Sequence, residues 1–302
     1  MGHILALDMG GTHMKYGLVT RDGQLLKKGK VPTPKRLDEL MLSIKRCLDT
    51  FSTEVIDGIA VSSPGAVASD GVIYGSSSIP YIHGPNMKTV LETATGLPVH
   101  IENDANCAAL AEVWQGTAAG KKDVAVVVIG TGIGGALIQN GTIHKGANLH
   151  GGEFGYMILD PIHLGQGQGM NTFSELASTS SIIRRVARYK QVDASTLTGE
   201  RVFELAQSGD ADCIKAINEF YNMLALGIYN IQYAYDPELI LLGGAISTRP
   251  DMIERVMKEV GSIVSAIDVA QIIPHVDRCH FLADANLIGA VYHFLQQIDE
   301  TL

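Results

Sequence analysis

Two runs of strand-forming residues end in glycine-rich turns, one in each half of the chain. Ile4-Leu5-Ala6-Leu7 leads into Asp8-Met9-Gly10-Gly11-Thr12, and Val124–Ile129 leads into Gly130-Thr131-Gly132-Ile133-Gly134-Gly135-Ala136. A glycine turn at the end of a buried strand exposes several backbone N–H groups over an anion-sized surface. A single turn of this kind also serves tight packing. Two of them predict a duplicated domain that grips one phosphate chain from both sides. The repeat continues past the turns, since each is followed by a second strand and a hairpin dipeptide, Asp22-Gly23 and Asn140-Gly141, suited to positive φ. The turns differ in length, so the repeat is one of structure and not of close sequence.

The remaining pattern is that of an α/β protein. Apolar residues at Leu40, Met41, Ile44, Cys47 and Leu48 predict a helix over 38–51. Strands are expected at 25–30, 55–61 and 98–101 and helices at 87–95 and 105–114, so the first half reads βββαβαβα. The second half reads as strands at 124–129, 136–139 and 142–145, then helices at 172–189, 199–207 and 211–235. A buried strand at 239–242, a helix at 251–264, a strand at 271–275 and a helix at 285–297 follow. Gly, Ala and Lys interrupt the periodicity over 115–122, which divides a small N-terminal domain, 1–117, from a large C-terminal domain, 118–284. The final helix, within 285–302, is expected to pack back on the first domain.

Composition narrows the function classes. With 46% hydrophobic and 18% charged residues among 302, the chain is globular and long enough for a sizeable core. A net charge of −9 argues against general affinity for nucleic acid or an anionic membrane. Cys47, Cys107, Cys213 and Cys279 are scattered without a CxxC pair, which points to reduced thiols and away from a disulfide framework or a cysteine zinc site. The N-terminal residues read straight into a strand with no secretion-signal pattern. The longest apolar run, 124–138, is broken by glycines and too short to span a bilayer. A cytoplasmic location is expected.

Several polar residues sit where chemistry is placed, each with a plainer alternative. Asp8 is a turn-forming aspartate or a carboxylate holding Mg²⁺ through water against nucleotide phosphates. Thr12 binds phosphate or caps the turn. Asp104, between Asn103 and Ala105 at a helix start, is an N-cap or a base for a substrate hydroxyl; the helix dipole keeps it ionised, which suffices for phosphoryl transfer. Glu153, flanked by Gly152 and Gly155, is a solvated loop carboxylate or a ligand contact. Gly243-Gly244 lets an adenine pack on backbone or starts a helix tightly. His144, His150 and His163 tempt a metal reading, but irregular spacing and the lack of cysteine partners argue against it.

Taken together, Asp8–Thr12, Ser63-Pro64-Gly65, Gly96-Leu97-Pro98-Val99, Glu102-Asn103-Asp104-Ala105-Asn106, Gly130–Ala136, Gly151-Gly152-Glu153-Phe154-Gly155 and Gly243-Gly244-Ala245 resemble the ROK family of sugar kinases and related repressors. The stretches occur in family order along nearly the whole chain. The resemblance implies an actin-like ATPase (ribonuclease H-like) fold, with two α/β domains and an inter-domain active-site cleft, and commonly a homodimer. It implies Asp104 as catalytic base, with Gly65, Asn103 and Glu153 at the sugar. ATP would meet Leu5, Ala6, Leu7, Asp8, Met9, Gly10, Gly11, Thr12 and Lys15 from the first half. From the second half it would meet Gly130, Thr131, Gly132, Gly134, Gly243, Gly244 and Ala245. Mg²⁺ would be held by Asp8 through water.

Two departures from the family pattern bear on the acceptor. Tyr156 stands where most members carry a zinc-binding histidine, and the loop 163–169 replaces their cysteine cluster, so no structural zinc is expected. Ser174 aligns with a further sugar-binding glutamate, with Glu175 one residue on; Glu175 and Tyr156 are both expected at the sugar. This zinc-free pattern, together with Ile288–Phe294, looks most like the β-glucoside kinases, which phosphorylate the 6-hydroxyl of cellobiose-type sugars. N-acetylmannosamine kinase and glucokinase are the alternatives within the family. Outside enzymes, a sugar-responsive transcriptional regulator is the rival; with only seven residues before Asp8, a helix-turn-helix ahead of the fold is not expected. An actin-like ATPase without a sugar leaves Asn103, Asp104 and Glu153 unexplained.

Overall fold

The computed structural model describes residues 2–160 and 171–299, so His163 and most of the loop that replaces the cysteine cluster lie outside the described residues. The chain forms two compact units: 1–120 with 145–151 and 283–302, and 121–144 with 152–282. The sequence reading put all of 118–284 in one domain; the short segment Lys145–Gly151 instead belongs with the first unit.

In the first unit, β1 (His3–Met9), β2 (His13–Val19), β3 (Leu25–Pro32), β4 (Ile56–Ser63) and β7 (Val99–Asn103) form one sheet in the order β3-β2-β1-β4-β7. β2 runs antiparallel to β1, and β4 and β7 run parallel to it. A small hairpin of β5 (Ala66–Val67) and β6 (Ile73–Tyr74) lies between β4 and β7 in sequence and was not foreseen. The helices are α1 (Leu37–Thr50), α2 (Met87–Thr95), α3 (Asp104–Gln115) and, from the far end of the chain, α9 (Ala285–Asp299).

Strand alternation sorts the sheet residues onto two covered faces. Leu5, Leu7, Ile59, Val61 and Ile101 join Leu40 and Ile44 of α1 and Met87 and Leu91 of α2 in one core. Ile4, Ala6, Val19 and Ala60 join Cys107 of α3 and Leu287, Ala290, Val291 and Phe294 of α9 in another. The α3–α9 contact depends on glycine: a Cβ on Gly289 would lie 1.7 Å from the Cys107 carbonyl oxygen. Gly96, at φ +71°, ends α2 as the expected left-handed cap.

The second unit repeats the topology. β8 (Val124–Ile129), β9 (Ile133–Gln139), β10 (Thr142–Ile143), β11 (Leu239–Gly243) and β12 (Val276–Arg278) are ordered β10-β9-β8-β11-β12. Its helices are α4 (Phe173–Ala177), α5 (Thr179–Lys190), α6 (Gly199–Gln207), α7 (Ala211–Tyr235) and α8 (Met252–Ser265). Val127, Ile129, Ile240 and Leu242 of the sheet pack with Phe173, Phe220, Leu224 and Ile228 in its core. Gly227 of α7 makes room for the Phe173 ring, 2.3 Å from where a Cβ would stand.

Two second-half expectations are corrected. The helix expected over 172–189 is two helices, because Ser178 is extended (φ −89°, ψ 167°) and its hydroxyl caps α5 by accepting from the Ser181 N–H. The strand expected at 271–275 lies instead at Val276–Arg278. Pro274 has no N–H to give a ladder, and pairing with β11 begins only beyond it. Among the described residues no helix is long and apolar enough to cross a membrane.

Candidate active site

The sheet register explains the first cluster. Asp8 lies opposite Lys15 on β2 and Ser62 on β4, and Ser62 lies opposite Glu102 on β7. Residues directly opposite share a face, so one polar row crosses an otherwise apolar sheet on the side covered by α3 and α9. Asp8 is only 7% exposed. Its Oδ1 accepts from Ser62 Oγ at 3.1 Å and Asn286 Nδ2 at 3.0 Å, and its Oδ2 from Lys15 Nζ at 3.2 Å. Ser62 and Asn286 were not picked out in the sequence. Ser62 left one signal, a hydroxyl inside an apolar strand; Asn286 left none.

Met9 is still within β1, and the turn proper is Gly10–Thr12. Thr33 Oγ1 donates to the Gly10 carbonyl, and Thr33 N–H to the Thr12 carbonyl at 3.0 Å. A Cβ on Gly11 would stand 2.2 Å from Ser78 Oγ, so a larger residue there would have to displace that exposed hydroxyl. Leu5, Ala6 and Leu7 are fully buried within β1 and present no surface to a nucleotide. That leaves the turn, with Asp8 and Lys15 beside it, as the candidates of this unit for a phosphate.

At the end of β7 the two cap candidates resolve. Asn103, not Asp104, is the N-cap of α3: its backbone is extended, and Oδ1 accepts from the N–H groups of Ala105 at 2.9 Å and Asn106 at 3.1 Å. Nδ2 donates to the Gly65 carbonyl at 3.0 Å, leaving the second amide N–H outside these bonds. Gly65 sits at φ +100°, where a Cβ would crowd Tyr74 O, Ile73 and His83. Asp104 is the first residue of α3, and its Oδ1 accepts from the Ala105 N–H at 2.9 Å. Beneath this step Cys107 is fully buried. Burial first, then the charges of Glu102, Asp8 and Asp104, push its thiol well above the usual range, so it stays protonated.

In the second unit, the turn between β8 and β9 is held at three points. The Gly130 N–H donates to Gly132 O at 2.9 Å, Thr179 donates to Gly130 O through N–H (2.9 Å) and Oγ1 (2.6 Å), and Ser174 Oγ accepts from the Ile133 N–H at 2.9 Å. The N–H groups of Thr131 and Gly132 make no bond to another described residue, which suits anion binding. Thr179 also lines a cavity of about 480 Å³ with Ile182, Ile183, Phe203, Ala245, Ile246 and Arg249. The Arg249 guanidinium covers the Phe203 ring at 3.8 Å, and its Nε lies 3.1 Å from Asp251 Oδ1. Gly244, at φ +89°, passes so close to β8 that a Cβ would stand 2.1 Å from Ile129 O, and Ala245 after it lines this cavity.

Glu153 is exposed and begins a short 3₁₀ turn, Phe154–Tyr156, in which Tyr156 is 74% exposed. Gly155 packs on Ile133 O, so this turn lies against the start of β9. Ser174, not Glu175, faces the glycine turn. Glu175 is exposed on the first turn of α4, its N–H bonded to Thr172 Oγ1 at 3.2 Å. One helical residue is about 100° of rotation, so Glu175 lies on a different side of α4 from the Ser174 hydroxyl that meets the Ile133 N–H. Among the described residues no group of three or more His, Cys, Asp or Glu is placed to hold a metal ion. Asp8, with three of its roughly four acceptor positions taken, fits a hydrated Mg²⁺ met through water better than a direct ligand.

Two mixed five-stranded sheets of identical order, each flanked by helices, define an α/β protein of the actin-like ATPase fold. The chain belongs to the ROK family, whose sequence profile matches residues 4–297. It is 36% identical over 295 residues to a β-glucoside kinase of Klebsiella pneumoniae, covering 97% of this chain and 96% of that one. A ROK family protein from Streptococcus pneumoniae TIGR4, solved in complex with sucrose, superposes with a TM-score of 0.90 at 40% identity over 99% of both chains. A ROK hexokinase from Thermus thermophilus gives 0.83 at 28% identity over 98% of this chain and 99% of its own. The chain is a carbohydrate kinase of this family.

Proposed function

We propose that the protein transfers the γ-phosphoryl group of ATP to the 6-hydroxyl of a β-glucoside such as cellobiose. The observation that carries the acceptor chemistry is the Asn103–Asp104 step. A carboxylate opens α3, and beside it the amide pinned to Gly65 O retains one N–H. Asp104 takes the proton of the sugar hydroxyl as its oxygen bonds to the γ-phosphorus. The bond from that phosphorus to the β–γ bridging oxygen breaks, ADP leaves with the electron pair, and Asp104 returns the proton to solvent. With a loose transition state, positioning matters more than base strength.

Asn103 and Glu153 orient sugar hydroxyls in this reading. The N–H groups at Gly11–Thr12 and Thr131–Gly132 receive phosphate oxygens, with Lys15 as a charge beside them. The adenine enters the cavity next to Gly243–Ala245, which shares Thr179 with the second turn. Mg²⁺ arriving with the nucleotide would neutralise phosphate charge, held by Asp8 through water.

Support for a β-glucoside comes from the identity to the Klebsiella kinase; the sucrose bound by the Streptococcus relative, an α-glucoside, and exposed Tyr156, an aromatic face that a second sugar ring can stack on, support only a two-ring acceptor. ADP release measured over cellobiose, gentiobiose, aryl β-glucosides, glucose and N-acetylmannosamine tests the choice. The β-glucosides are expected to give the highest kcat/KM, with phosphate on O6 by NMR. A clear preference for glucose or N-acetylmannosamine overturns it in favour of glucokinase or N-acetylmannosamine kinase.

A further inference from the structure

Glu102 takes no part in the chemistry above, yet it is 1% exposed, and a carboxylate so buried needs a partner. Its Oε1 accepts from the Asn103 N–H at 2.8 Å and from Asn106 Nδ2 at 3.0 Å. Its Oε2 lies 2.8 Å from Lys145 Nζ and 3.8 Å from His293 Nδ1. Lys145 Nζ also donates to Val67 O at 3.0 Å, and the Lys145 carbonyl accepts from the Gly151 N–H at 2.8 Å, closing the loop 145–151 on itself. One buried charge pair therefore holds the residue before Asp104, a residue one half-turn after it, and the base of a loop that runs on through Gly152 to Glu153.

The geometry points to Glu102 and Lys145 as a positioning pair for phosphoryl transfer, an inference that rests on the kinase reading above. Neither side chain touches a substrate. Glu102 fixes the Asn103 N–H and Asn106, so Asp104 is clamped from both sides, and Lys145 sets an opposite charge 2.8 Å from the buried carboxylate. Removing Lys145 leaves the carboxylate uncompensated. Relaxation then falls on the bonds flanking Asp104, where a misplacement of about 1 Å costs about 10²-fold in turnover.

Steady-state kinetics on Lys145→Met, Glu102→Gln, the double variant and Lys145→Arg test the pair, with Asp104→Asn as a control. Lys145→Met is expected to lower kcat for the sugar by about 10²-fold while KM for ATP holds, and to speed amide hydrogen exchange at 103–106. Lys145→Arg should retain most of the turnover. Glu102→Gln should fall as well, and the double variant should do no worse than Lys145→Met, because the two residues act as one unit. A pair that merely supports packing would move the unfolding temperature and leave the split between kcat and KM, and the exchange at 103–106, untouched. Should Lys145→Met fail to fold, Glu102→Gln decides alone, and wild-type kcat there overturns the proposal. Losses that multiply in the double variant overturn it too. An active Asp104→Asn variant rejects the role given to Asp104, and with it the reading on which the pair rests; an inactive one beside a normal Lys145→Met rejects only the pair.

Discussion

Asn103 does two jobs that substitution can separate. Its Oδ1 caps α3 through two N–H bonds, and its Nδ2 holds Gly65 O. Asn103→Ala removes both. Loss of the cap costs about 1 kcal/mol and loss of a neutral hydrogen bond about another 1 kcal/mol. At roughly 2–4 °C per kcal/mol for a chain of this size, the unfolding temperature should fall by about 4–8 °C. Asn103→Asp restores a cap acceptor, with a charge the helix N-terminus favours, but it sets a carboxylate oxygen against the Gly65 carbonyl and has no N–H for the sugar. It should recover about half of the lost stability, the ~1 kcal/mol cap share. The sugar KM should stay raised in both variants, by about 3–10-fold for one neutral hydrogen bond. Differential scanning calorimetry and a coupled assay on the same preparations read the two effects. An Asn103→Asp enzyme with wild-type sugar KM refutes the role of the amide, and an Asn103→Ala enzyme that melts at the wild-type temperature refutes the cap.

Asp104→Asn should lower turnover by about 10²–10⁴-fold, the range for a lost general base, with sugar affinity by calorimetry little changed. Ala245→Phe places a ring at the mouth of the 480 Å³ cavity and should raise KM for ATP while KM for the sugar stays put; equal shifts in both would place the nucleotide elsewhere. His100 titrates near pH 4, below its usual value, first because it is buried and then because Lys88 and His293 repel its charged form. The unfolded chain therefore takes up this proton first as pH falls, so stability is lost between about pH 6.5 and 4. His100→Phe should flatten that acid limb in denaturant titrations, and an unchanged limb would show that other groups set it.

The parts of the fold legible in the sequence were those written in local pattern. Met87–Thr95, Gly199–Gln207 and Ala211–Tyr235 start and stop where periodicity and caps put them. The Asn-Asp step exposed the limit of local reading: both residues make good caps, and only the end of β7, two residues further than expected, decides between them. The break at Ser178 is likewise a choice between two local bonds: the run Ser178-Thr179-Ser180-Ser181 is rich in capping residues, but the helical pattern on both sides masked it. Contacts made across the chain were invisible for a simpler reason. Asn286 reaches Asp8 over 278 positions, and Lys145 reaches Glu102 because a short loop joins the first unit. Neither carries a motif, since each is specified only by where folded strands bring it.

The helix α9 shares with α3 the face of the first sheet that Ile4, Ala6 and Ala60 line, yet it is synthesised after every element of the second unit. At about 5–20 residues per second, the nascent first sheet waits of the order of ten seconds or more for its cover. The sequence of the second unit is complete before the first can close. Asp8 gains the Asn286 amide only when that cover arrives. A nascent chain halted before residue 285 would thus leave that apolar sheet face covered by α3 alone and Asp8 without its Asn286 partner, a species for chaperones to hold.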